Sequence, residues 1–360
     1  MTLALLGTTG WARSEPTATP SPDPSPGHRT LASGASLLPG VLLHGSGHFA
    51  LGRQRTAGRL FAAEGLGLAM FLIGGGTLVG TGANRYLTGP AAGLGIAGIG
   101  LFSSSWLADV IGTAWPRHAR GEPITRRPLV ELELGYRAVH DLQFAYAHLL
   151  YHRLDLQRWG WRLSPSMWLA LDDENARMRL EAAYRPWGPR SEVDAADGSY
   201  VELRTAVTHH RFAPEGFRTL TTELAARGRV DLWRFDADLA GQYAELELGV
   251  ALQSFDYDRP ALSLGTDNET LLLTRIAHGV YVGHPQHPWA DVQVFYDHRH
   301  DTYVGGLNGF AIGAPGFFGA QTRIYPLPQL GIRGEVALGS AVYGGVSLLT
   351  RLITPEDAEP

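Results

Sequence analysis

The segment Tyr296-Asp297-His298-Arg299-His300-Asp301 sets two histidines among carboxylates and an arginine. On a strand, successive side chains face opposite ways, so His298 and His300 share one face and Asp297, Arg299 and Asp301 the other. Histidines of this kind serve a hydrolase as general base, given a nearby serine and a third polar group to orient the ring. Ser166 and Ser347 are candidate strand serines, but no spacing marks either as a nucleophile. The sequence has no Gly-x-Ser-x-Gly elbow, P-loop or Rossmann fingerprint. A metal held by Asp297, His298, His300 and Asp301 would need a bulge to bring opposite faces together. His44 and His48 have the i, i+4 spacing of a helical metal pair, with Glu64 the nearest third ligand. Gly45 and Gly47 weaken a helix there, so a capping or turn segment is the competing reading. No cofactor is expected.

The elements that would carry these residues are short and alternating. From Val130 to Ala138 the even positions are Val, Leu, Leu, Tyr and Ala, against Glu131, Glu133, Gly135 and Arg137. Ala176 to Tyr184 and Ala244 to Leu252 repeat the pattern, with Arg177, Arg179 and Glu181, then Glu245 and Glu247, on the polar face. Phase and breakers mark thirteen segments between residues 129 and 353. Two of them, 234–243 and 244–256, join through a bulge at Tyr243 to give about twelve strands, with ten to fourteen as the range. Each strand is long enough for the ~9–11 residues of a tilted membrane crossing. A closed barrel, apolar outside and polar inside, satisfies that pattern. Its lumen would gather a network of Glu131, Glu133, Arg177, Arg179, Glu181, Arg204, Glu245, Glu247, Arg333 and Glu335. Asp236, Asp238, Asp291 and Arg323 would join it. Mixed signs in a narrow lumen pair across strands, which stabilises the wall and obstructs flow. Aromatics near strand ends suit the water–lipid interface: Trp159, Trp161, Trp168, Trp187, Phe212, Trp233, Tyr257, Trp289 and Tyr325.

Composition agrees with this. Hydrophobic content is an ordinary 44% and charged content a low 18%, as when apolar residues are spread thinly along strands. A net charge of −5 argues against a nucleic-acid partner. Cysteine is absent, which excludes disulfides and thiolate metal sites. All basic residues are arginine, as genomic base composition explains.

Two uncharged segments, Gly65–Gly82 and Leu87–Ala108, precede the strands, each about long enough to cross ~30 Å of hydrocarbon as a helix. Gly76/Gly80 and Gly89/Gly93 have the small-xxx-small spacing that lets helices approach closely. Arginines before the first segment and after the second put both ends of this hairpin on one side of a membrane. Upstream, Pro39-Gly40 and His44-Gly45-Ser46-Gly47-His48-Phe49 resemble the Pro-Gly, Gly-Gln-aromatic, Gly pattern that opens small helical-hairpin membrane domains, with His48 in place of Gln. Residues 129–353 resemble bacterial outer-membrane β-barrel proteins in alternation, turns and aromatic placement.

The expected organisation is a truncated signal peptide at 1–12, a Pro/Ser-rich linker at 13–35, a Gly-rich helical hairpin at 36–120, an antiparallel barrel at 121–353 and a tail at 354–360. The hairpin could plug the lumen, pack on the barrel's side, or bind a protein partner. The resemblance implies a Gram-negative outer-membrane protein embedded in the lipid bilayer, serving as a porin-like passive transport channel or as a membrane scaffold. Two other readings stand beside it: an outer-membrane enzyme acting on lipid or lipopolysaccharide, and an inner-membrane helical anchor carrying a soluble β-sandwich.

Overall fold

The computed structural model describes residues 24–84, 86–116, 119–123, 128–140, 147–189, 197–214, 216–258, 268–283, 288–298, 316–339 and 341–352. The expected signal segment, His300, Asp301 and the tail at 354–360 lie outside the described residues. Twelve strands form one closed antiparallel barrel: β1 (Val130–His140), β2 (His148–Arg158), β3 (Trp161–Ala170), β4 (Ala176–Trp187), β5 (Tyr200–Phe212) and β6 (Phe217–Asp231) come first. They are followed by β7 (Gln242–Tyr257), β8 (Asn268–Gly283), β9 (Trp289–Asp297), β10 (Phe317–Leu327), β11 (Leu330–Gly339) and β12 (Val342–Leu352). Each strand pairs with its sequence neighbour, and β1 closes on β12 in unbroken register from Val130↔Leu352 to His140↔Val342. No edge is left, as hydrocarbon requires. This closure excludes the soluble β-sandwich.

The side-chain period fixes what each face meets. Leu134, Leu150, Leu180, Leu203, Leu224, Val250, Ile332 and Val346 are exposed on the outer wall, where lipid would cover them. Glu133, Arg137, Glu181, Glu202, Glu245 and Glu247 are buried inside. The rim at which β1 begins and β12 ends, the near rim, also carries the Trp159-Gly160 turn and the β6–β7 connection. The opposite, far rim receives the ends of β1, β3 and β5.

The β6–β7 connection corrects one expectation. Residues 234–241 do not form a strand; two short 3-10 turns, Leu232–Arg234 and Ala237–Leu239, shape this connection, and β7 begins at Gln242 without a bulge at Tyr243. The Asp236 side chain accepts from the backbone N–H of Asp238, which caps the second turn. Asp236 and Asp238 therefore leave the lumen and clasp the helical region. Asp236 pairs with Arg59 at 3.1 Å; Asp238 accepts from Thr56 at 3.2 Å and faces Arg53 at 3.8 Å. Arg120 donates to the carbonyls of Asp238 and Ala240 at 3.1 and 2.8 Å.

Before the barrel come α1 (Pro26–Leu37), α2 (Ser46–Ala50), α3 (Gln54–Gly80) and α4 (Thr88–Ala114). The linker expected at 13–35 thus ends sooner, because Pro26 opens α1 at a position where its missing N–H costs nothing. At 27 residues each, α3 and α4 extend about 40 Å, enough to cross a bilayer. Their contact runs through Gly67, Gly74 and Gly98, where an added Cβ would lie within 3 Å of the facing backbone. Gly76, Gly80, Gly89 and Gly93 have open space instead, so the spacing chosen from sequence is not the contact.

The hairpin lies on the barrel's outer wall, against β7 and β8. A Cβ on Gly100 would strike the Ile276 side chain at 2.7 Å, and Ile276 points outward between inward Arg275 and Ala277. Near the rim, Gly112 packs on His48 and Leu239. Closure of β1 on β12 predicts a boiling-dependent mobility shift in cold denaturing gels. Deleting residues 342–352 should abolish it; a shift that survives the deletion would contradict this register.

Candidate functional site

The lumen is layered. At the far rim, inward side chains form an apolar cluster: Val139, Leu149, Tyr151, Trp168, Phe212, Phe295, Phe317 and Tyr343. An inward side chain of an open pore touches water, yet Phe212 is 0% exposed and Tyr343 3%. Edge-on and stacked ring contacts knit this layer, with Tyr151 to Trp168 at 5.6 Å and Phe212 to Phe217 at 4.4 Å between centroids. Trp168 and Phe212 therefore face inward rather than toward the lipid interface. At the near rim Trp289 and Tyr325 do the same, joining Tyr243, Tyr281 and Leu349. Trp159, Trp161 and Trp187 are exposed at that rim, as interface residues should be.

Between the two clusters runs an arginine–carboxylate network. Glu181 meets Arg162 at 2.8 Å, Arg179 at 3.1 Å and also Arg204, which reaches on to Glu247. Arg162 and Arg185 share Glu202 at 2.6 and 3.0 Å. Glu245 is held by three guanidiniums: Arg227, Arg229 at 3.1 Å and Arg275 at 3.3 Å. Across the barrel, Arg333 bridges Glu133 at 3.3 Å and Glu335 at 2.6 Å, and Glu335 also accepts from Tyr343 at 2.7 Å. Glu131 accepts from Arg351 at 2.7 Å and from Tyr325 at 3.0 Å. Arg177 lies over the Trp168 ring at 5.2 Å and so links the network to the apolar layer.

Arg153, Asp155, Arg162, Arg275 and Arg351 were not among the sequence candidates. The alternation Trp161-Arg162-Leu163-Ser164 carried the signal for one of them. Such pairs are charge-assisted and shielded from water, so losing one partner strands the other.

The network leaves a cavity of about 190 Å³ on its near-rim side, bounded by Glu131, Arg153, Arg229, Tyr281, Trp289 and Arg323 among others. It faces the near rim, while the aromatic cluster occupies the far rim.

The histidine candidates fall elsewhere. His298 Nδ1 bonds the Tyr296 hydroxyl at 2.6 Å, and Asp297 approaches Arg275 at 3.8 Å inside the barrel. His44 and His48 turn their Nδ1 atoms to different partners. His44 Nδ1 bonds Ser105 Oγ at 2.6 Å, whereas His48 Nδ1 bonds Asp109 at 2.7 Å. Among the described residues no group of three histidine, aspartate or glutamate side chains is placed to hold a metal ion. The segment is a turn that leads into α2, organised by one carboxylate: Asp109 accepts from the backbone N–H groups of Gly45, Gly47 and His48 at 3.0–3.1 Å. Glu64 accepts from the His44 backbone N–H at 2.9 Å. Gly45, at φ +89° and against the Ala57 carbonyl, admits no side chain. These bonds let the turn and the open N-terminus of α2 sit beside apolar helices without bare polar groups.

Glu245→Ala leaves three guanidiniums around an empty position. It should destabilise the barrel by about 3–5 kcal/mol, read as a lower denaturant midpoint in micelles. A midpoint equal to that of the parent chain would show that the network is not structural.

No protein-family model matches this chain. No curated protein matches it either. Among solved structures it is similar to the KdgM porin in complex with disordered oligogalacturonate, with 8% identity over 62% of this chain and 99% of that one, at a TM-score of 0.38. It is also similar to the outer membrane protein Omp33 of Acinetobacter baumannii, with 9% identity over 62% and 98% of the two chains and a TM-score of 0.33. The translocator domain of the autotransporter NalP from Neisseria meningitidis gives 13%, 63%, 90% and 0.33 for the same measures. A closed, even-numbered antiparallel barrel with an apolar outer wall and a charged interior is built for lipid, and the chain is an outer-membrane β-barrel.

Proposed function

We propose that this barrel is a membrane scaffold: it holds the helical hairpin against its outer wall and does not conduct through its centre at rest. The observation that carries the reading is the buried aromatic layer across the far end of the lumen. Rings packed this closely crowd water and ions out of that end, and apolar constrictions close pores by dewetting. The outer wall supports the same reading. Gln242, Thr274 and His278 occupy outward positions on β7 and β8, where lipid would otherwise meet them, yet all three are buried. His278 Nε2 and Gln242 Oε1 lie 3.2 Å apart. A polar outward patch next to α4 belongs to a wall made to be covered. The outer face of α3, with Leu66, Leu72 and Ile73 exposed, suits lipid.

Passive transport is the second reading, favoured by the polar cavity that faces the near rim. In it the aromatic layer acts as a gate. Planar-bilayer recording on the purified chain separates the two. The scaffold reading expects no conductance steps from the parent chain, and steps after Phe295→Ala with Phe317→Ala thins the layer. Regular steps from the unaltered chain would overturn it in favour of a channel.

A further inference from the structure

The near-rim cavity holds one guanidinium that its own network leaves unpaired. Eight arginines and six carboxylates line it among the described residues, and Glu245 and Glu247 behind that lining pair with three of the eight arginines. Most of those arginines are engaged: Arg162 and Arg185 with Glu202, Arg229 with Glu245, Arg351 with Glu131. Arg323 of β10 is different. It points inward and is half-buried, and no hydrogen bond or ion pair reaches it among the described residues. Neither cross-strand neighbour bonds it. On β11 it stands opposite Arg333, a like charge that Glu133, Glu335 and Gln321 hold. On β9 it stands opposite Asp291, whose carboxylate accepts from the Tyr243 hydroxyl at 2.5 Å.

Like charges directly opposite on adjacent strands repel. The lumen thus keeps an unsatisfied guanidinium facing a space far larger than the ~15 Å³ one water needs. A guanidinium offers parallel donors that match a carboxylate or a phosphate. Arg153, also in this lining, adds a second cation whose partner Asp155 it shares with Arg162. The wall beside them is aromatic, with Tyr281 and Trp289 stacked at 6.2 Å between centroids.

We propose that this cavity is a binding site for a small anionic solute, held through a carboxylate or phosphate group with Arg323 as principal anchor. The solute enters from the near rim, because the far end of the lumen is occupied by the aromatic layer. The site does not depend on whether the barrel conducts: a sealed barrel binds the solute, and a gated one also passes it.

Calorimetric titration of the full-length chain in micelles tests this, with inorganic phosphate and citrate as separate probes and glucose as the uncharged comparison. Saturable heat is expected with at least one anion and none with glucose. Phosphate alone would assign phosphate chemistry, citrate alone carboxylate chemistry. Arg323→Gln should weaken binding by about tenfold or more, as loss of a charged hydrogen-bond pair does. Asp291→Asn removes the negative charge beside the anchor and should tighten binding, a gain that misfolding does not produce. A boiling-dependent gel shift retained in both variants verifies their fold. No saturable heat with either anion, or unchanged affinity in Arg323→Gln, would overturn the proposal.

Discussion

Hydrocarbon gives a peptide group nothing to bond, so a chain that crosses it by strands must pair every strand on both sides. The β1–β12 ladder meets that demand, and the rest of the molecule follows from it. Once the sheet is closed, the two-residue period divides each strand between lipid and lumen. The charges then have only one place to go. Confined together, away from water, arginines and carboxylates are tolerable only as pairs. The lumen supplies pairs in chains, where Glu181 and Glu245 each serve three guanidiniums.

The same closure turns the outer wall into a second site. A twelve-strand barrel offers twelve similar outward stripes, but the β7–β8 stripe departs from the others by burying Thr274 and His278. Beside it α4 presents Gly100, whose lack of a side chain makes room for Ile276. At its base the hairpin is fixed by charge, through Arg53, Arg59 and Arg120 on the β6–β7 connection. Apolar contact thus sets the distance, and ion pairs near the rim set the position along the wall.

Much of this was legible in the sequence wherever a local period controls the outcome. The alternation from Val130 and from Ala176 placed Glu131, Glu133, Arg177, Arg179 and Glu181 on the face they occupy. It failed where a turn imitates a strand: Asp236-Ala237-Asp238-Leu239 alternates perfectly, yet a side-chain cap on Asp238 makes it a 3-10 turn. Aromatic residues near strand ends were read as interfacial by position alone. Phase decides the matter, since Trp168 shares its parity with Arg162 and Ser164 and so faces inward. Asp109 follows the uncharged stretch by one residue, and a lone acid at the end of an apolar helix asks for buried donors, but its partners at Gly45, Gly47 and His48 have no fixed spacing from it. The seat of the hairpin had no local signal at all, because Gly100 and Ile276 meet only after the whole barrel has closed.

The central claim is that the barrel carries the hairpin on the outside of its β7–β8 wall. The chain contains no cysteine, so a single engineered pair reports without background. Gly100→Cys with Ile276→Cys, oxidised mildly in intact membranes, tests the claim most directly. A Cβ at position 100 falls within 3 Å of the Ile276 side chain, so a disulfide should form efficiently and reverse with reductant. Failure of this pair to cross-link, with cross-linking instead between Gly100→Cys and the inward Ala277→Cys, would place the hairpin inside the lumen and contradict the account.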